Sequence, residues 1–75
     1  MIEDLPFEQR VSVVRQIADA LVELLHGAGG HMDLMDALRA AAARFQTLIS
    51  QIRYGLDYAI AHHRVSLDDR TLSLA

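Results

Sequence analysis

The sequence predicts an all-α fold: an antiparallel helical hairpin with one helix over about residues 5–26, a second over about 33–62, and a C-terminal tail over 63–75. Three observations predict it. Eleven Ala, eleven Leu and seven Arg give the 75 residues a helix-former's composition, with one Pro and no Cys. One glycine-rich stretch, Gly27-Ala28-Gly29-Gly30-His31, interrupts the chain. On both sides of it, apolar residues recur at alternating spacings of four and three.

The first helix begins where the Asp4 carboxylate caps free N–H groups and Pro6 occupies the first turn, where its missing donor costs nothing. Its apolar positions are Phe7, Val11, Val14, Ala18, Leu21 and Leu25, and Gly27 supplies a residue suited to closing a helix. Residues 27–32 then read as a turn, either a natural loop or a joint between two fused fragments. A phosphate cradle is excluded there, because no spaced second glycine or Lys-Ser/Thr pair follows. Asp33 caps the second helix, with Asp36 three residues on.

In that helix Leu34, Leu38, Ala41, Phe45, Leu48 and Ile52 mirror the first series. Folding back at the glycines sets Leu25 against Leu34, Ala18 against Ala41 and Phe7 against Ile52, in a coiled-coil-like seam of period 3.5. The tail alternates Val65, Leu67, Leu72 and Leu74 around Asp68-Asp69-Arg70. A short third helix started by Ser66-Leu67-Asp68-Asp69, or an ordered turn, is preferred over a β-hairpin or disorder.

Lengths make the hairpin incomplete. A first helix of about 22 residues spans roughly 33 Å and a second of about 30 roughly 45 Å, so the last turns of the second lack cover. Val13, Ile17, Leu24, Met35, Ala42 and Ile49 also widen the apolar surface beyond one seam. Two layers alone bury too little to offset chain entropy. The expected solution is a four-helix bundle, completed by a homodimer or by another helical protein. The partner-binding residues are expected to be Ile49, Ile52, Tyr54, Leu56, Tyr58 and Ile60.

In outline, over residues 5–62 and by shape and spacing alone, such a hairpin resembles the small two-helix co-chaperones of bacterial type III secretion. It is also similar to the docking domains at the termini of modular polyketide synthase subunits, and to the plasmid-copy-control hairpin that dimerises and binds RNA loops. These resemblances imply a non-enzymatic adaptor, docking or co-chaperone module, and they transfer no functional residue.

Other functions have less to stand on. The four histidines form two groups, His26 with His31 and His62 with His63, at opposite ends of the long helix. A bundle binding a metal or small ligand through His26, His31 or His62 is the alternative reading, with an RNA-binding hairpin beside it. No metal site and no cofactor is expected: His26 suits a helix C-terminus, and His62 and His63 point about 100° apart on a helix. Ser12, Thr47, Ser50, Ser66, Thr71 and Ser73 lack a His–acid pair, so no catalytic residue is assigned. Asp19 and Glu23 read as solvated carboxylates. Ten acidic residues against seven basic give a net charge of −3, which disfavours nucleic acid as a partner. No apolar stretch reaches the roughly 18 residues of a membrane span, and the acidic start is unlike a secretory signal. The expectation is a cytoplasmic, bacterial protein, with arginine used to the exclusion of lysine as in GC-rich genomes.

Overall fold

The computed structural model describes all 75 residues, and it corrects the all-α expectation. The chain is α+β. A single 3-10 turn, Ile2–Asp4, leads into α1 (Phe7–Gly27), then β1 (His31–Asp33), α2 (Leu34–Phe45), α3 (Ile49–Ala61), β2 (Val65–Asp68) and β3 (Thr71–Leu74). There is no helical hairpin, and neither a four-helix bundle nor a coiled coil is formed.

The helix expected over 33–62 is two helices. Gln46 adopts a left-handed conformation at φ 53°, which turns the backbone out of α2. The Thr47 N–H then donates to the Ala42 carbonyl at 3.0 Å and Gln46 to Ala43 at 3.3 Å, the paired bonds of a Schellman closure. α3 ends in the same way. His63 is left-handed at φ 57°, with Arg64 donating to Ala59 and His63 to Ile60. At the end of α1 the same bonds run from Gly30 to Leu25 and from Gly29 to His26, where glycine makes the positive φ inexpensive. Asp33 does cap α2: its Oδ2 accepts from the Met35 and Asp36 N–H groups at 3.0 and 3.2 Å.

The tail is not the preferred short helix or ordered turn but a β-hairpin. β2 and β3 pair antiparallel across Asp69-Arg70, with Asp68 opposite Thr71 and Val65 opposite Leu74. Asp69 takes the positive φ the tight turn requires, a conformation Asp tolerates through its short polar side chain. β1 adds to the far side of β3, with Met32 opposite Leu72, giving the order β1-β3-β2. Leu34 N–H to the Arg70 carbonyl (2.7 Å) and Leu74 N–H to the Gly30 carbonyl (2.9 Å) extend that pairing. Residues 27–32 thus close one helix and open one strand.

Strand alternation puts Met32, Leu72, Leu67, Val65 and Leu74 on the sheet face turned toward the helices. Leu72 and Val65 join Ile17, Ala18, Leu21 and Leu25 of α1, Ala37, Leu38, Ala41 and Ala42 of α2, and Ile52, Leu56 and Ala59 of α3 in one continuous core. Of the expected seam, Ala18, Leu21, Leu38 and Ala41 are buried in this common core rather than along a two-helix seam. The expected pairing fails at its far end, where Phe7 is 74% exposed while Ile52 is fully buried. α1 packs most extensively on α3, and Gly55 faces Ile17 and the Ala18 backbone at close range. Burial that was expected to need a second molecule is therefore supplied within the chain by α1 and the sheet. No helix is long and apolar enough to cross a membrane.

Helix, strand, helix, three-residue turn, helix and hairpin follow in order, with the last strand central in the sheet. α2 and α3 are joined by the three-residue turn 46–48, and the β2–β3 hairpin follows α3.

Candidate functional site

The six residues expected to bind a partner fare differently. Ile52 and Leu56 are core, at 0% and 1% exposure. Ile49, Tyr58 and Ile60 are half-buried and packed against that core. The Tyr58 ring also stacks on His62 at 4.0 Å between centroids. Tyr54 alone projects outward, 42% exposed. Helical phase explains the split. Positions 49, 52, 56 and 60 face α1 and α2, whereas Ser50, Arg53, Tyr54 and Asp57, spaced i, i+3, i+4 and i+7, form the opposite, exposed stripe.

Ser50, Arg53 and Asp57 on that stripe make no side-chain bond within the chain, while Tyr54 reaches the Glu3 carboxyl. Arg53 makes no ion pair and no hydrogen bond, in contrast to four of the other arginines. Arg44 pairs with Glu23 at 2.9 Å and so joins α2 to α1, while Arg64 pairs with Asp19 and joins the α3–β2 connection to α1. Asp19 and Glu23 are thus tethers between elements. Arg39 lies 3.8 Å from Asp36 within α2, and Arg10 donates to the carbonyls of Glu3 and Leu5. Arg15, on α1, and Arg70, at the hairpin tip, are the other unpaired cations.

The N-terminal turn is fastened beside the stripe. Buried Gln51 accepts the Ile2 N–H at 2.7 Å through Oε1, and its Nε2 donates to Glu3 Oε2 at 3.4 Å. The Glu3 carboxyl is held below its ordinary range chiefly by a backbone hydrogen bond from its own N–H; desolvation opposes this, and the Gln51 and Tyr54 side chains and the N-terminal charge add smaller lowering effects. A cleft of about 260 Å³ runs beneath this turn, between Met1, Leu5, Val13, Phe45 and Thr47. Sequence reasoning missed Gln51, since a Gln on an apolar helix face carries no period of its own.

No three His, Asp or Glu side chains approach closely enough to hold a metal ion. The His62 ring nitrogen Nδ1 lies 2.9 Å from the Tyr58 carbonyl, a contact within one helix, and Asp33 is committed to the α2 cap. His26 stands at the end of α1, and His31 and His63 are exposed. No hydroxyl is placed beside a His–acid pair. What the arrangement offers chemically is a contact surface: hydrogen-bonding groups on one exposed helix face, followed by a hairpin with an unpaired arginine at its tip. Comparison of the chain with family models, with curated proteins and with solved structures finds no match.

Proposed function

We propose that the chain is a non-enzymatic recognition module that reads duplex nucleic acid, with α3 entering the major groove and the β2–β3 hairpin lying against the backbone. One observation carries the reading: two helices joined by a three-residue turn and followed by a β-hairpin, the element order of a helix-turn-helix with a wing, present Ser50, Arg53, Tyr54 and Asp57 on the exposed face of the second helix. Of these, Ser50, Arg53 and Asp57 make no side-chain bond within the chain. That is the docking geometry of such motifs, and a major groove about 12 Å wide accepts one helix. Arg53 supplies a fork for a guanine edge, Ser50 and Tyr54 supply hydroxyls for phosphate or base, and Arg70 supplies a phosphate contact from the wing tip.

The acidic composition sets the terms of this binding. Arg53, Arg70 and the loosely paired Arg39 are the cations on α2, α3 and the hairpin that are not held in a close ion pair, as Arg44 is by Glu23, against Asp36, Asp57, Asp68 and Asp69. With only two or three phosphates neutralised, the slope of log K against log salt is about −2 to −3, and sequence-independent affinity is weak. The test is selection from a random duplex pool at low salt, followed by fluorescence anisotropy on the enriched sequence. Arg53→Ala is expected to lower affinity about tenfold and to relax preference at one base pair. No enrichment over a non-specific pool at 50 mM salt refutes the reading.

A second reading, an adaptor or docking module for a helical protein, rests on the same surface. It is favoured by the excess of acidic groups and by two exposed large side chains, Leu48 in the turn and Tyr54 on α3. Tyr and Arg are over-represented where protein partners bind most strongly. A protein partner lost on Tyr54→Ala, with no duplex enriched, would decide for it.

A further inference from the structure

We propose that two copies of this chain pair through the N-terminal half of α1, antiparallel about a two-fold axis passing near Val11 and Ser12. α1, at 21 residues, is much longer than α2 (12) and α3 (13), and it meets the core only from Val13 and Val14 onward. Buried α1 residues begin only at Ile17. Before it, Phe7 is largely exposed, and Val11 stands outside the set of apolar side chains packed against the core. Phe7, Glu8, Val11, Ser12, Arg15 and Gln16 line a shallow groove of about 370 Å³ along this stretch.

The occupant follows from charge. Glu8 and Arg15 lie on that one face, and neither is ion-paired. Seven residues apart, they stand about 10 Å from one another along the axis, too far to meet within one helix. An antiparallel copy in which paired residue numbers total a constant brings Glu8 opposite the second copy's Arg15, and Arg15 opposite its Glu8. Val11 then meets Ser12, and Phe7 lies over the Gln16 and Arg15 stems. The face is self-complementary, as an isologous interface requires. Contact along a few turns of one helix is a small interface, so the association is expected to be weak and reversible.

The inference does not depend on what α3 binds. The experiment is sedimentation equilibrium from 10 µM to 1 mM, with far-UV circular dichroism as the check on folding; both charged side chains are exposed, so folding is retained. Wild type is expected to form a reversible dimer. Glu8→Arg and Arg15→Glu, each alone, are expected to weaken it about tenfold by setting like charges opposite each other twice. An equimolar mixture of the two variants restores both attractive pairs and is expected to recover association to the wild-type level. Phe7→Ser weakens association in any background. Wild type that stays monomeric to 1 mM, a dimer indifferent to charge reversal, or a mixture no better than its components overturns the proposal.

Discussion

Gly55→Ala tests the core contact between α1 and α3. A methyl built on Gly55 would meet Ile17 Cγ2, would stand 2.5 Å from Ile17 Cβ, and would lie 3.1 Å from the Ala18 backbone nitrogen. Ile17 is a β-branched residue inside a helix, held in one χ1 rotamer, so its methyl cannot swing aside. The helices must separate instead, and over-packing of this kind costs about 1–3 kcal/mol. Because two of the three obstructing atoms sit at or next to the α1 backbone, the cost belongs at or above the top of that range. Against it stands a gain of about 1 kcal/mol from replacing glycine with alanine in a helix interior. The net expectation is a loss of about 2 kcal/mol, or a fall in Tm of about 8–16 °C for a domain this size. Thermal and urea unfolding by circular dichroism measure it. Ile17→Ala alone should cost about 2–5 kcal/mol, and the double variant should cost less than the two singles added, since one removes what the other strikes. A Gly55→Ala protein that melts at or above wild type would mean that Gly55 does not face α1 at close range, and the α1–α3 packing would need to be redrawn.

Three further outcomes check the tethers around the candidate site. Gln51→Ala leaves the Ile2 N–H without its partner and should cost about 1–3 kcal/mol; hydrogen exchange should show the N-terminal turn opening first. Asp33→Ala removes the acceptor for two α2 N–H groups and should cost about 1 kcal/mol, whereas Asp33→Asn should retain most of it. Glu3 has a folded-state pKa below its ordinary value of 4.5, so its contribution is present above that value and is lost as pH falls through the lowered one. Wild type should accordingly be more stable than Glu3→Gln at neutral pH, with the difference vanishing in acid when Tm is followed down the pH scale.

Local pattern in the sequence carries part of this fold and hides the rest for identifiable reasons. α1 announces itself through its apolar stripe and the Asp33 cap through its carboxylate, but the ends of α1 shift: Asp4 lies in the 3-10 turn and does not cap the helix, and the left-handed residue that closes it is Gly29, not Gly27. The break at Gln46 does not announce itself, because the apolar spacing runs unchanged through Phe45, Leu48 and Ile52, and the left-handed residue is a glutamine. His63 conceals the end of α3 in the same manner. The alternation of Val65, Leu67, Leu72 and Leu74 does mark the hairpin, but a capping pattern at Ser66–Asp69 competes with it locally. What decides is pairing with Met32, forty residues earlier, which no local period records. The candidate site inverts for one reason: with a break at 46–48, α3 turns its apolar residues against α1 and exposes the stripe that an unbroken helix would have left as an outer flank. Tyr54 is the one expected contact residue that falls on that stripe.

Scarcity of cations links the two proposals without making either depend on the other. Arg53, Arg70 and Arg39 of one copy neutralise at most three phosphates, and a single helix of 13 residues reads only a few base pairs. Two copies joined along α1 would carry two α3 helices related by a two-fold axis, the symmetry of a palindromic site whose halves lie about 34–36 Å apart. The second contact would then be made at a high effective concentration rather than from bulk solution. The consequence is measurable. If both proposals hold, Glu8→Arg, which touches neither α3 nor the hairpin, should weaken binding to a two-half-site duplex while leaving binding to a single half-site unchanged, and mixing in Arg15→Glu should restore the former. Equal losses on both duplexes would instead place Glu8 at the nucleic-acid surface, and a charge-sensitive dimer with no duplex affinity would keep the α1 pairing and transfer the α3 stripe to a protein partner.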